Sequence, residues 1–178
     1  MATHCAFLRG INVGGRRTTM DRMCAPFEAL GLEGVQSVIA SGNVVFATDR
    51  ADLAALEADL ERALAEALGF TVEVFVRSGH ELAEVVDAEV VQSAEPGVTP
   101  HVLFLRAPLS ADGAEALRAL ETPDDRFPIL AREVVWLRRG RLSDTTVKAT
   151  ALTRALGVHT ARNVNTVRRI VGKLDLAG

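Results

Sequence analysis

Residues 34–48, GVQSVIASGNVVFAT, decide the fold, because two runs rich in strand-forming residues stand on either side of Ser41-Gly42-Asn43. Valine, isoleucine and phenylalanine suit a pleated, half-buried surface, and Gly-Asn supplies the backbone angles of a tight turn. The stretch reads as an antiparallel hairpin, and its flanks say what kind. Before it, HCAFLR (4–9) is a short apolar strand. From Met20 to Leu30 the positions Met20, Met23, Cys24, Phe27 and Leu30 then recur at intervals of three and four, one helix face, with Gly31 as its stop. Pro26 counts against that helix unless it kinks or restarts there. After the hairpin, Leu53, Leu56, Leu60, Leu64 and Leu68 line one face of a helix over 51–68, with Glu57, Asp59, Glu61 and Glu66 off that face. Asp49 or Asp52 is placed to cap it, Gly69 ends it, and FTVEVFV (70–76) alternates as a fourth strand.

Residues 4–76 thus give strand, helix, strand, strand, helix, strand, the ferredoxin-like split β-α-β unit. The pattern then returns. A short helix near His80 to Val86 and the polar loop SAEPGVTP (93–100) lead to the strand HVLFLR (101–106) and a helix over Ser110 to Leu120. FPILA (127–131) and EVVWLR (133–138) read as strands and Thr150 to Leu156 as a helix. In place of a last strand comes an amphipathic helix from about Asn163 to Leu174. The expected fold is α+β, two similar ferredoxin-like halves, 1–92 and 93–178, the second closed by that helix.

Composition excludes several classes. The chain of 178 residues, 48% hydrophobic and 24% charged, is that of an ordinary soluble globule. No apolar run approaches the roughly 20 residues that span a bilayer, so no membrane association is expected. The start, MATHCAFLRG, lacks the pattern of an export signal, which makes the cytoplasm the expected compartment. Cys5 and Cys24 lack paired spacing and read as reduced core thiols, and His4, His80, His101 and His159 are scattered. Neither a metal site nor a cofactor is expected. The net charge of −3 is uneven: residues 1–129 carry 10 basic and 20 acidic side chains, residues 130–178 carry 10 and 3. That polarity either attracts an anion or balances within the fold.

The loop RGINVGG (9–15) follows the first strand. In this topology the first strand's exit, the hairpin turn and the second helix's exit (68–70) lie at one end of the sheet, which sets Arg9 and Asn12 near Ser41 and Asn43. The loop is not a Walker motif, since Gly15 precedes Arg16-Arg17-Thr18 rather than Lys-Ser/Thr. It fits a dinucleotide fingerprint poorly, with Asn12 at the middle glycine position. Two readings stay open: a nest of backbone N–H groups that, with Arg9, Arg16 and Arg17, holds an anion, or a tight structural turn. In HTARNVNTVRRIVGKL (159–174), Val164, Val167, Val171 and Leu174 share one face, Thr160 or Asn163 is the expected N-cap, and Arg162 stands at the helix start. The helix dipole disfavours an arginine there, so Arg162 either pairs with an acid or answers a ligand. The reading sets Arg162 and Asn163 against the GINVGG loop. LRRGRLS (137–143) reads as a solvated turn.

Taken together, AFLRGINVGG, SVIASGNVVF and LGVHTARNVNTV resemble the bacterial family of domain of unknown function 1697. Its members carry an L-R-G-I-N-V-G-G start, a Q-S-G-N-V-x-F hairpin and a T-R-N-x-N-T-V closing motif. The matching positions are Arg9, Gly10, Asn12, Gly14 and Gly15, then Ser41, Gly42 and Asn43, then Arg162, Asn163, Asn165 and Thr166. The resemblance implies two ferredoxin-like halves. This chain departs from it at Ala40, where the family has Gln, at Val164, where an aromatic is common, and at Thr145-Thr146, where a Ser-Lys pair is common. Lys148 stands close by.

The expected function is the binding of a small anionic molecule of phosphate type by Arg9, Asn12, Gly14, Gly15, Ser41, Asn43, Arg162, Asn163 and Asn165. The alternatives are an enzyme acting on an anionic substrate and an RNA-binding module. The motif residues orient and stabilise negative charge but include no general base. SGNVVFAT does not match the RRM signature, and the chain has only seven Phe and one Trp to stack on bases.

Overall fold

The computed structural model describes residues 1–11, 13–14, 18–39 and 42–175. Its elements run β1 (Ala2–Arg9), α1 (Met20–Ala29), β2 (Glu33–Ser37), β3 (Asn43–Thr48), α2 (Leu53–Leu68), β4 (Glu73–Ser78), α3 (Gly79–Asp87) and α4 (Glu89–Gln92). They continue as β5 (Val98–Leu105), α5 (Ala111–Arg118), β6 (Asp125–Arg126), β7 (Glu133–Arg139), α6 (Ala149–Leu156), β8 (His159–Asn163) and α7 (Val164–Asp175). The strands form two four-stranded antiparallel sheets, ordered β2-β3-β1-β4 and β6-β7-β5-β8. Each is the 4-1-3-2 order of a ferredoxin-like sheet, so the fold is α+β with two such halves. Among the described residues, packing divides the chain into two compact units, 1–82 with 169–175 and 83–168.

In the first unit the caps form as the sequence dictates. Asp52 accepts the Ala55 N–H at 2.9 Å to start α2, and Gly69 at φ +79° donates to Ala65 O at 2.9 Å to end it. Thr19 caps α1, and Pro26 sits inside that helix without ending it, its ring buried beside Phe27. Leu56, Leu60 and Leu64 pack with Met23 and Phe27 onto Ala6, Leu8, Val44, Phe46, Val74 and Val76. The opposite face of the sheet is buried too, with Phe7, Phe75 and Arg77 at 0% exposure.

The edge strand β4 carries a device that the leucine periodicity hides. Glu57, expected off the buried face, is itself buried and accepts the Val76 N–H at 2.7 Å. Glu61, one turn on, accepts the Val74 N–H at 2.9 Å, and Arg77 donates to Val76 O at 2.8 Å. Side chains therefore satisfy the Val74 and Val76 N–H groups and the Val76 carbonyl, groups of the kind an open edge offers to another strand. The next helix starts with a capping box: Ser78 Oγ accepts the Glu81 N–H while Glu81 accepts the Ser78 N–H.

The second unit corrects three sequence expectations. The last strand is present: β8 pairs antiparallel with β5, Val102 opposite Arg162. Its five residues, HTARN, are mostly polar and follow Gly157, which concealed them. FPILA is not a strand; the edge strand is the two-residue β6, and 127–130 folds back through bonds from Val135 N–H to Pro128 O and Leu130 N–H to Glu133 O, both 2.9 Å. LRRGRLS is not a solvated turn, because Leu137 to Arg139 finish β7 and Arg138 is buried. Arg138 belongs to a polar centre around Asp125, which is fully buried. The carboxylate accepts from Trp136 Nε1 (2.8 Å), Arg138 Nη1 (3.0 Å), Thr122 Oγ1 (2.8 Å) and Thr145 Oγ1 (3.1 Å). A buried charge persists only when paired and hydrogen-bonded, and here both oxygens are. Around that centre Leu103, Leu105, Phe127, Val134 and Trp136 pack on Leu117, Leu152 and Leu156.

Candidate functional site

The end of the first sheet where β1 leaves and β3 enters brings the motif loops together. Phe7 lies opposite Asn43 in the β1–β3 register, and the Leu8 N–H donates to Gly42 O at 2.7 Å. Gly42 has φ +75°, and a Cβ on it would stand 3.0 Å from Ile11 Cγ2 and 3.1 Å from Leu8 O. The hairpin turn is thus pressed on the loop that follows β1. Gly10, at φ +85°, faces Thr71 O, so the exit of α2 meets the same loop. Ile11 is buried in the first core and anchors the loop, while Val13 and Gly14 beyond it are exposed. Ile39 has φ +56°, a left-handed conformation that a β-branched residue adopts only when its surroundings force it.

Arg9 closes β1 and pairs across the sheet with Glu73, its Nη1 at 3.2 Å from both carboxylate oxygens; both side chains are partly exposed. Asn43 is fully buried. Its Nδ2 donates to Val38 O at 3.1 Å, and the Val38 N–H donates to Asn43 O at 2.9 Å, so Asn43 clasps the hairpin. Gly14 has φ +63° and open space around it. Asn12, Gly15 and Ser41 lie outside the described residues.

The closing-motif residues lie in the second unit. Arg162 sits on β8 rather than in the helix, half-buried, and its Nη1 donates to Thr160 Oγ1 and to Ala161 O, both at 2.8 Å. Asn163 is the N-cap of α7, its Oδ1 accepting the Asn165 N–H at 2.8 Å. Asn165 is exposed and accepts from Arg168 at 3.1 Å. The alternative cap, Thr160, is buried in the strand.

Within the first unit, then, the three loops expected at one end do meet, on Gly10, Ile11, Gly42 and Thr71. The family model described as Protein of unknown function (DUF1697) matches residues 1–135, which hold this whole arrangement. The chain belongs to that family. It is similar along its length to the conserved bacterial protein SP0830 from Streptococcus pneumoniae, with a TM-score of 0.73 and 25% identity over 97% of this chain and 98% of that one. No curated protein matches.

In this DUF1697 chain Thr145 supplies a hydroxyl to Asp125, so its side chain is bound into the second core. Val164 is buried against Val91 and Val135, where an aliphatic side chain fills the space. Lys148 stands just before α6. Among the described residues no three His, Cys, Asp or Glu side chains cluster as metal ligands, and no described helix is long and apolar enough to cross a membrane. Sequence reasoning missed Glu73 and Ile39 at the loop end. Glu73 was legible as the residue facing Arg9 once β4 was placed; the strain at Ile39 left no sequence signal.

Proposed function

We propose that the protein binds a small anionic ligand of phosphate type where β1 gives way to its loop, with backbone N–H groups and Arg9 as the recognising donors. The observation that carries this is the strained backbone of Ile39, at φ +56° in the hairpin whose Gly42 is pressed on Ile11 of the loop after β1, a loop that itself turns through Gly10 and Gly14 at positive φ. Strain of this kind clusters at ligand clamps, and consecutive amides in such conformations form anion-binding concavities. Arg16 and Arg17 follow in sequence and add positive charge to the same loop. Arg162, Asn163 and Asn165 offer donors of similar chemistry within the second unit.

The ion pair between Arg9 and Glu73 gives the test its logic, because an anion competes with Glu73 for the guanidinium. In a thermal-shift and calorimetric series with inorganic phosphate, pyrophosphate and nucleotides, an anion at about 100 times its dissociation constant raises stability by roughly 2.7 kcal/mol. Arg9→Ala is expected to weaken the binding about tenfold to a hundredfold, the worth of one charge-assisted hydrogen bond. Glu73→Gln is expected to strengthen it. Binding indifferent to both substitutions refutes the assignment.

The buried rings favour this reading over the RNA-binding alternative. An RRM stacks bases on aromatic side chains of its open sheet face, whereas Phe7, Phe75 and Phe104 are at 0% exposure.

A further inference from the structure

The second unit holds a groove of about 520 Å³ on the face of its sheet away from α5 and α6, and nothing in the anion-binding reading uses it. Two neighbouring cross-strand pairs make its floor: Arg126 lies opposite Leu137, and Val98 opposite Arg139. Val90, from α4, adds a second apolar wall, and the volume falls in the range of small-molecule sites, about 300–1,000 Å³. The charges are unequal in availability. Arg139 is held by Glu95 at the rim. Arg126 is exposed, and among the described residues its side chain makes no hydrogen bond or ion pair; the same is true of the carboxylates of Asp124 and Glu89. Asp124 and Arg126 both line the groove, while Asp125 between them turns to the opposite face and into the buried centre.

One uncommitted guanidinium, two uncommitted carboxylates and an apolar floor define the chemistry of a matching ligand. A simple anion would satisfy Arg126 but lie against Asp124 and Glu89, and a simple cation would leave Arg126 unanswered. We propose that this groove binds a small zwitterion with an apolar body, the class of an α-amino acid with a branched or aromatic side chain. The ligand's carboxylate meets Arg126, its ammonium faces Asp124 and Glu89, and its side chain covers Leu137, Val98 and Val90. The inference stands apart from the anion site: it concerns the other sheet, and either holds without the other.

Calorimetry and thermal shift with leucine and phenylalanine at millimolar concentration test it. Each is compared with its deaminated acid and its decarboxylated amine, on the wild-type chain and on Arg126→Ala and Asp124→Asn. Arg126 is exposed on a two-residue edge strand, so its replacement leaves the melting temperature in place and a loss of binding is not a loss of fold. The expected result is saturable binding of at least one amino acid, weakened roughly tenfold or more by Arg126→Ala, by Asp124→Asn, and by removal of either charged group from the ligand. No saturable binding of either amino acid overturns the proposal. Binding that survives Arg126→Ala, or that the deaminated acid reproduces in full, does so equally.

Discussion

At the scale of single residues, the sharpest demand is made by Gly42. It combines a positive φ with a turn pressed on Ile11 and Leu8, so an added methyl group meets strain and crowding together. Gly42→Ala is expected to destabilise the protein by about 1–3 kcal/mol, read from chemical denaturation, with a loss of anion binding as the turn shifts. An alanine variant of wild-type stability would remove the close approach from the account. His101 makes a demand of another kind. Burial pushes its imidazole below the ordinary value of 6.5, only partly opposed by the hydrogen bond to Thr99 O. The fold thus favours the neutral ring: the associated stability is complete above the unfolded value and declines as pH falls below it toward the folded value. His101→Gln is expected to flatten the fall in melting temperature between about pH 7 and pH 5. An unchanged slope would place the acid sensitivity elsewhere. Asp125 shows why residue-scale reading has limits. Its partners lie at 122, 136, 138 and 145, and no local pattern marks a carboxylate that distant chain segments will enclose.

At the scale of elements, the first half was legible because its signals are local and redundant. Five leucines on one face, a capping Asp52, a terminal Gly69 and a Gly-Asn turn each point to the same helix and hairpin. In the second half the signals diverge. Apolar FPILA imitates a strand, yet Pro128 lacks the N–H a strand would donate, and polar HTARN forms one because β5 offers it an open edge. The mask on β4 shows the same dependence on partners, since Glu57 is a surface residue by periodicity and a buried acceptor in the fold. Replacing Glu57 and Glu61 together by Ala leaves the Val74 and Val76 amides without acceptors, at a cost of about 1–3 kcal/mol each. Faster hydrogen exchange at those two amides is expected, with concentration-dependent self-association through the uncovered edge. Exchange as slow as in the wild type would contradict the role assigned to the glutamates.

At the scale of the whole molecule, the repeated strand order of the two sheets explains why a partial sequence reading still reached the correct architecture. Each half ends in a strand bearing an arginine bonded to the carbonyl before it, Arg77 to Val76 and Arg162 to Ala161, and each strand leads into a capped helix, α3 or α7. The first pattern is legible in the sequence, whereas the strand of the second is missed there, because polar HTARN disguises it. The candidate site was less legible. Its glycines and its meeting of loops follow from topology, but the ion pair on Arg9, the burial of Asn43 and the strain at Ile39 arise only when the sheet is assembled. The central claim is that this strained loop end is a binding site, and an amide-resolved NMR titration with pyrophosphate tests it most directly. Saturable shifts concentrated on the amides of Gly10, Ile11, Gly14, Ile39 and Gly42 are the predicted result; shifts that fail to saturate, or that fall on other parts of the chain and spare these five, would contradict it.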